Sequence, residues 1–382
     1  MKIFMPILFL AFLVSLTSCK KATEPVTINP YHDAYEEASN YVNLPEKAYD
    51  YSVDFPQYLK NSAFRAPKID NEKATLGRVL FYDKKLSKTN EVSCASCHIQ
   101  ELAFADGKKV SDGINDRQTT RNSIGLGSTV NFGAYYGTAS FFNINFFWDD
   151  RAKSVAEQAT QSLASDLEMG MHMHEVVEKV KENQKYYKWL FMEAYPDGIT
   201  EDNVLDAIQQ FVNSMGSYHS PFDEGMNTHN GDEMAYFDEL SPLQNQGKNI
   251  FMQHCTSCHS KFAARSTVPT ANNGLYMVYE DKGVGARDNN SAFDGVFKVP
   301  SLRNIELTGP YMHDGSLETL EDVVEHYISG IKNHRNLASQ LKTNGHPGLG
   351  LTEADKAPLV AFLKSFTDDS ILTDERYADP FK

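Results

Sequence analysis

Cysteine is scarce in this chain, with five residues among 382. That excludes a disulfide-stapled scaffold, which small secreted domains use in place of a large core. Tryptophan is scarcer, with two. Strand-like alternation is rare, so an all-β architecture is disfavoured. Positive charge is the minority: 36 Lys and Arg stand against 51 Asp and Glu, a net charge of −15. This balance argues against nucleic acid, whose phosphates want a basic surface, and suits a basic protein partner through electrostatic steering. Histidine and methionine are both absent from Ile99 through Glu168.

What is present is concentrated. Four of the five cysteines form two pentapeptides, Cys94-Ala95-Ser96-Cys97-His98 and Cys255-Thr256-Ser257-Cys258-His259. Each has the Cys-x-x-Cys-His spacing of a covalent c-type haem attachment site. The cysteines bond the haem vinyl groups, and the histidine ligates the iron from the proximal side. Structural zinc, the alternative for such clusters, needs more thiolates or histidines than either shows nearby. Two covalently bound haems c are therefore expected. The attachment cysteines are Cys94, Cys97, Cys255 and Cys258, and the iron ligands are His98 and His259.

The fifth cysteine, Cys19, closes Leu16-Thr17-Ser18-Cys19 behind Lys2 and an apolar run from Ile3 to Leu16. The run is shorter than the ~20 residues of a spanning helix and reads as a secretion signal. Its ending resembles a bacterial lipobox, which makes Cys19 a lipidated first residue. Several acyl chains there would hold the protein stably at a membrane surface. The expected location is periplasmic, with the membrane reached by the lipid anchor alone.

The organisation expected is all-α: two cytochrome c-like domains, one haem each, with long irregular loops. Residues 1–19 are assigned to the lipoprotein signal peptide and 20–60 to a tether and irregular arm. Residues 61–238 form the N-terminal haem domain and 239–382 the C-terminal one. Helices are predicted from Asn71 to Phe81, Ser154 to Leu163, Met173 to Ala194, Thr200 to Ser217, Leu243 to His254, Leu317 to Ile331 and Thr352 to Ser365. The segment from Ala105 to Phe147 is rich in Gly, Asn, Ser and Thr and reads as a loop wrapped around a cofactor. The two haem motifs, each with a preceding helix, suggest a diverged internal duplication.

The sixth iron position separates a redox carrier, closed by His or Met, from a haem that activates peroxide. The long stretch without either residue after His98 predicts an open first haem. His172 and His174 could swing in, but His-x-His at the start of an amphipathic helix reads as a polar face. Phe147-Trp148-Asp149-Asp150-Arg151-Ala152 then carries a specific likeness. From about Leu76 to Phe366 the chain resembles the bacterial di-haem cytochrome c peroxidase family, including its methylamine-utilisation (MauG-type) branch. Members typically read Phe-Trp-Asp-Gly-Arg-Ala, with the tryptophan relaying electrons between the haems. Trp148 matches, and Asp150 replaces the glycine. The resemblance also implies a glutamine and a glutamate over the peroxide face, at Gln158 and Glu168. A carboxylate in a sheltered pocket can move a proton between the two oxygens of peroxide. The family's proline six residues before that glutamate is Ser162 here.

The resemblance extends through Val299-Pro300-Ser301-Leu302-Arg303-Asn304 and Thr308-Gly309-Pro310-Tyr311-Met312-His313-Asp314-Gly315. In relatives the sixth ligand of the second haem lies fourteen residues after that histidine, as methionine in classical peroxidases and tyrosine in the MauG-type branch. Here it is Tyr327. On a helix it shares a face with Val323 and Val324, while His326 points elsewhere. Met312 is the rival ligand and His326 a weaker one. Relatives also hold a calcium ion between the haems, which implies the Asn122 side chain and the carbonyls of Thr308 and Pro310. The expected activity is reduction of hydrogen peroxide with electrons from a small cytochrome c or a cupredoxin. The alternatives are MauG-type oxidation of a residue in a partner protein and a non-catalytic di-haem electron carrier.

Overall fold

The computed structural model describes residues 30–60, 66–127, 145–262 and 267–382. Cys19 and the predicted signal segment lie outside them. Ten longer helices dominate: α1 Pro30–Ala38, α2 Asn71–Tyr82, α3 Val155–Ala164, α4 Met173–Glu182, α5 Gln184–Ala194, α6 Glu201–Ser214, α7 Pro221–Thr228, α8 Pro242–His254, α9 Leu320–Glu325 and α10 Glu353–Lys364. Among the described residues, sheet is confined to two antiparallel pairs of two-residue strands. One joins Thr270–Ala271 to Phe297–Lys298.

Two cores form, each around a crossed helix pair. In the first, α2 meets α6 at Gly77, where a Cβ would lie 1.9 Å from the Ala207 carbonyl and 2.8 Å from the Phe211 Cβ. In the second, α8 meets α10 at Gly247, where a Cβ would lie 1.9 Å from the Pro358 carbonyl and 2.8 Å from the Phe362 Cβ. The duplication suggested by the motifs thus reappears in packing. In both halves the helix before the haem motif carries a glycine against a carbonyl, and a buried phenylalanine follows that carbonyl by four residues. Only glycine permits backbones to approach this closely. Phe211 and Phe362 are fully buried, each stabilising its core by roughly 1.5–3 kcal/mol.

The structure corrects three local expectations. The arm before residue 60 opens with a helix, α1, and is irregular only from residue 39 to 56. Tyr31, Ala34, Tyr35 and Ala38 are spaced as one helical face, and the rings of Tyr31 and Tyr35 pack edge-on against Trp189 of α5. Further along, Val42, Leu44 and Tyr51 enter the first core, whereas Val53, Phe55, Tyr58 and Leu59 enter the second. The helix predicted from Met173 to Ala194 is broken at Asn183 into α4 and α5, because Asn183 caps α4 with its backbone N–H and its side chain. The helix predicted from Leu317 to Ile331 starts after the Thr319 cap and passes into a π turn over His326–Gly330. The last residues cross back to the first domain: Gln100 donates to the carbonyls of Ile371 and Asp374, both at 2.9 Å, and Tyr377 donates to the Ser214 carbonyl at 2.6 Å.

Candidate haem sites and the wall between them

Each Cys-x-x-Cys-His segment is a tight turn. The His98 N–H donates to the Cys94 carbonyl at 3.0 Å, and the His259 N–H to the Cys255 carbonyl at 2.9 Å. Both imidazoles use Nδ1 for a backbone carbonyl: Phe104 at 2.7 Å for His98, and Pro300 at 3.3 Å for His259. That bond sets the tautomer and leaves Nε2 with the lone pair an iron needs. Burial pushes the His98 pKa down and that of His259 down to about 4, so both rings stay neutral. Burial also pushes the Cys94 and Cys255 thiols up to about 12. Among the described residues no group of three or more His, Cys, Asp or Glu side chains could hold a metal ion, so structural zinc lacks its ligands. Each turn opens on a cavity, of about 340 Å³ at Cys94 and about 210 Å³ at Cys255. Apolar groups make up most of each lining, around the two thiols and the neutral imidazole of each motif, so the residues present fit a haem at each.

The first cavity holds Gln158, Ser162 and Glu168 on the same lining as His98. Helix α3 begins at the Ser154 cap, and one helical turn separates Gln158 from Ser162. The Gln158 amide donates to the Ser162 hydroxyl at 2.8 Å. Burial pushes the Glu168 carboxyl up. Hydrogen bonding from Ser162, the charge of Arg151 and hydrogen bonding from Ser165 pull it back in part. Ser162 therefore connects the two residues rather than merely replacing a rigid proline. His172 and His174 are exposed, with rings stacked on each other at 6.1 Å, and neither lines the cavity. Met169 does line it, from the first core.

Trp148 lines both cavities. Its Nε1 donates to the Asn122 carbonyl at 2.8 Å, and its ring packs against Leu275, Tyr279 and Phe297. Asp150 makes a turn of the kind a glycine would make. Its φ is 59°, a left-handed conformation that aspartate tolerates better than most side chains. Its carboxylate accepts from the Asn145 N–H at 2.9 Å. Above this turn, Arg121 pairs with Asp149 at 2.8 Å and with Asp281 at 2.7 Å, joining the two domains.

In the second cavity Val323, Val324 and Tyr327 share the lining. Burial raises the Tyr327 phenol well above its ordinary range, with nearby Cys258 adding to the rise and an Asn273 hydrogen bond opposing it. Asn273 is the residue that sequence reasoning missed. It donates to the Met312 sulfur at 3.2 Å, and its carbonyl holds His326 Nε2 at 3.0 Å, turning His326 away. Nothing local marks Asn273, which reaches these partners across 39 and 53 residues of chain. Asn122, Thr308 and Pro310 also line this cavity. The Asn122 amide nitrogen donates to the Lys108 carbonyl at 2.8 Å, leaving its oxygen for a cation. Among the described residues no hydrogen bond takes up the Thr308 or Pro310 carbonyls. This neutral oxygen set fits a hard cation completed by water.

Comparison with known proteins bears on both halves. Residues 71–231 match the family described as di-haem cytochrome c peroxidase, and residues 244–367 match cytochrome c. The cytochrome c551 peroxidase of Nitrosomonas europaea is 33% identical over 302 residues, covering 78% of this chain and 80% of that one. The methylamine utilization protein MauG of Methylorubrum extorquens is 32% identical over 307 residues, covering 79% and 80%. The crystal structure of a MauG-like protein associated with microbial copper homeostasis superposes with a TM-score of 0.70 at 28% identity, covering 87% of this chain and 98% of that one.

Proposed function

Because the chain belongs to the di-haem cytochrome c peroxidase family, we propose that it binds two haems c and reduces hydrogen peroxide at the first cavity. Electrons arrive from a small cytochrome c or a cupredoxin through the second. Each peroxide takes up two protons and two electrons and leaves as two waters. The observation that carries this reading is Glu168, a carboxyl pushed up by burial in the cavity of His98. The bound haem supplies an iron that coordinates oxygen and exchanges electrons. The chain supplies the rest. His98 presents Nε2, with its tautomer held by Phe104. Glu168 takes the proton from the incoming peroxide and returns it to the departing oxygen. Gln158, tied to Ser162, orients the substrate. Trp148 lies in the wall through which electrons pass. Asn122, Thr308 and Pro310 would hold a calcium ion at the domain junction. Peroxide-dependent oxidation of a reduced small cytochrome by the haem-loaded protein tests the proposal. Two cytochromes consumed per peroxide support it, and a loaded protein inert to peroxide sinks it.

Tyr327 favours a second reading, in which the oxidising equivalents act on a residue of a partner protein, as the MauG likeness suggests. Tyrosine at this position would hold the second iron as a hard anionic ligand that disfavours the ferrous state. Tyr327→Met is then expected to raise the second haem's potential and change its resting paramagnetic resonance spectrum. An unchanged spectrum would remove Tyr327 from the iron.

The same proposal places the protein on the periplasmic side, anchored through acyl chains on Cys19. Cys19→Ala is expected to move it from the membrane fraction to the soluble fraction. Retention of that variant in the membrane fraction would rule the anchor out.

A further inference from the structure

Asn122, Ser123, Ile124, Trp148 and Lys298 line both cavities, and of these Lys298 is the ionisable one. It is 4% exposed. Its position is determined from two sides. Its backbone N–H donates to the Trp148 carbonyl at 2.7 Å, and its ammonium donates to the Asn145 carbonyl. Asn145 is itself held by Asp150. The Asn145 N–H donates to one carboxylate oxygen at 2.9 Å, and its amide donates to the other at 3.2 Å and to the Asp150 carbonyl at 3.1 Å. Asp150 therefore orders the support for Lys298.

A buried ammonium is costly to desolvate and leaves its mark on whatever charge develops beside it. An electron arriving in either cavity adds negative charge near this cation, and in a low-dielectric wall that interaction is only weakly screened. We propose that Lys298, positioned by Asn145 and Asp150, controls electron passage between the two haem cavities by placing one positive charge at their shared wall. The inference rests on the two-haem reading above and deepens it.

Desolvation pushes the Lys298 amine down to about 7, with Asp150 opposing the fall. The group is therefore charged below that pH and neutral above it. The other charges about this turn are Asp149, which pairs with Arg121 and Arg151, Asp281, which also pairs with Arg121, and Arg287, which donates to the Asp149 and Asp150 carbonyls. Most of these are already matched to one another. Lys298 is the cation of the group that faces both cavities.

Spectroelectrochemical titration of both haems in the full-length, haem-loaded protein at pH 6 and pH 8 tests this. In the wild type both midpoint potentials should fall as pH rises and the ammonium is lost. Lys298→Met should lower both at pH 6, so that at fixed potential the reduced fraction of each haem falls at least threefold, and should flatten the pH dependence. Lys298→Arg should keep the high potentials at both pH values. Asp150→Gly should move the pH step downward, because the ammonium loses its supporting carboxylate. Lys298→Gln carries the same comparison should the methionine variant load haem incompletely. Loaded variants whose two potentials match the wild type, or a shift confined to one haem, would overturn the proposal. Potentials are measured without peroxide, so this outcome is independent of peroxide turnover.

Discussion

Glu168→Gln is expected to lower peroxide turnover by about 10²–10⁴-fold, the usual worth of a positioned general acid–base group, or roughly 3–5 kcal/mol of barrier. Haem content and the resting absorption spectrum should stay unchanged, because glutamine keeps the shape and loses only the ability to carry the proton. The sign of the pH dependence follows from the direction of the shift. Burial raises the Glu168 pKa, so the carboxylate that accepts the peroxide proton is lost as pH falls through a value above the ordinary glutamate range. Wild-type turnover should therefore show an acid limb, and the glutamine variant should lack it. Ser162→Ala is the companion measurement. The hydroxyl that favours the charged carboxylate is gone, so the limb should move to higher pH, and Ser162→Thr should restore it. A loss of less than threefold in the Glu168 variant would end the acid–base assignment.

Arg303→Met is expected to cost about 3–5 kcal/mol of stability, the penalty of removing one partner from a buried ion pair. The Arg303 and Asp223 side chains are 0% and 1% exposed and pair directly. Tyr58 donates to the other Asp223 oxygen at 2.6 Å, and Arg303 also donates to the Tyr58 hydroxyl and the Phe262 carbonyl, both at 3.0 Å. Without the guanidinium, Asp223 is a buried carboxylate whose remaining partners are hydroxyl groups and backbone N–H. Thermal unfolding should show an early transition for the C-terminal half, with Tyr58 and the arm released with it. Asp223→Asn combined with Arg303→Met should recover part of the loss, since both charges then leave together. A single variant as stable as the wild type would show that water reaches this pair.

The Arg303 network also explains why Val299–Asn304 was recognisable as a block. Pro300 supplies the carbonyl for His259, and Arg303 locks the strand exit. Asn304, at φ 56°, donates to the Ser217 hydroxyl at 2.9 Å and accepts from the Asp368 N–H at 2.7 Å. Several obligations on neighbouring residues leave a contiguous signature. By contrast, Asn273 meets Met312, His326 and Tyr327 from a loop far from all three in sequence. The helix of the arm is hidden in the sequence although its spacing is present, because its polar composition outweighs two tyrosines and two alanines. Ser162 stands out in the sequence as a departure from a proline, and its bond to Gln158 is a one-turn helical contact, but that both face the cavity of His98 depends on the tertiary packing.

The sequence by itself determined the two Cys-x-x-Cys-His turns, the helices that precede them and the spacing of Trp148, Gln158 and Glu168. Each of these depends on residues a few positions apart, where helix and turn geometry decide what can face what. The tertiary structure decided which nitrogen of each histidine is free, that burial raises Glu168, and that Lys298 stands with Trp148 between both cavities. Those properties depend on desolvation and on carbonyls brought in from distant segments. No local pattern of residues specifies them, because the low-dielectric wall exists only once both domains have packed.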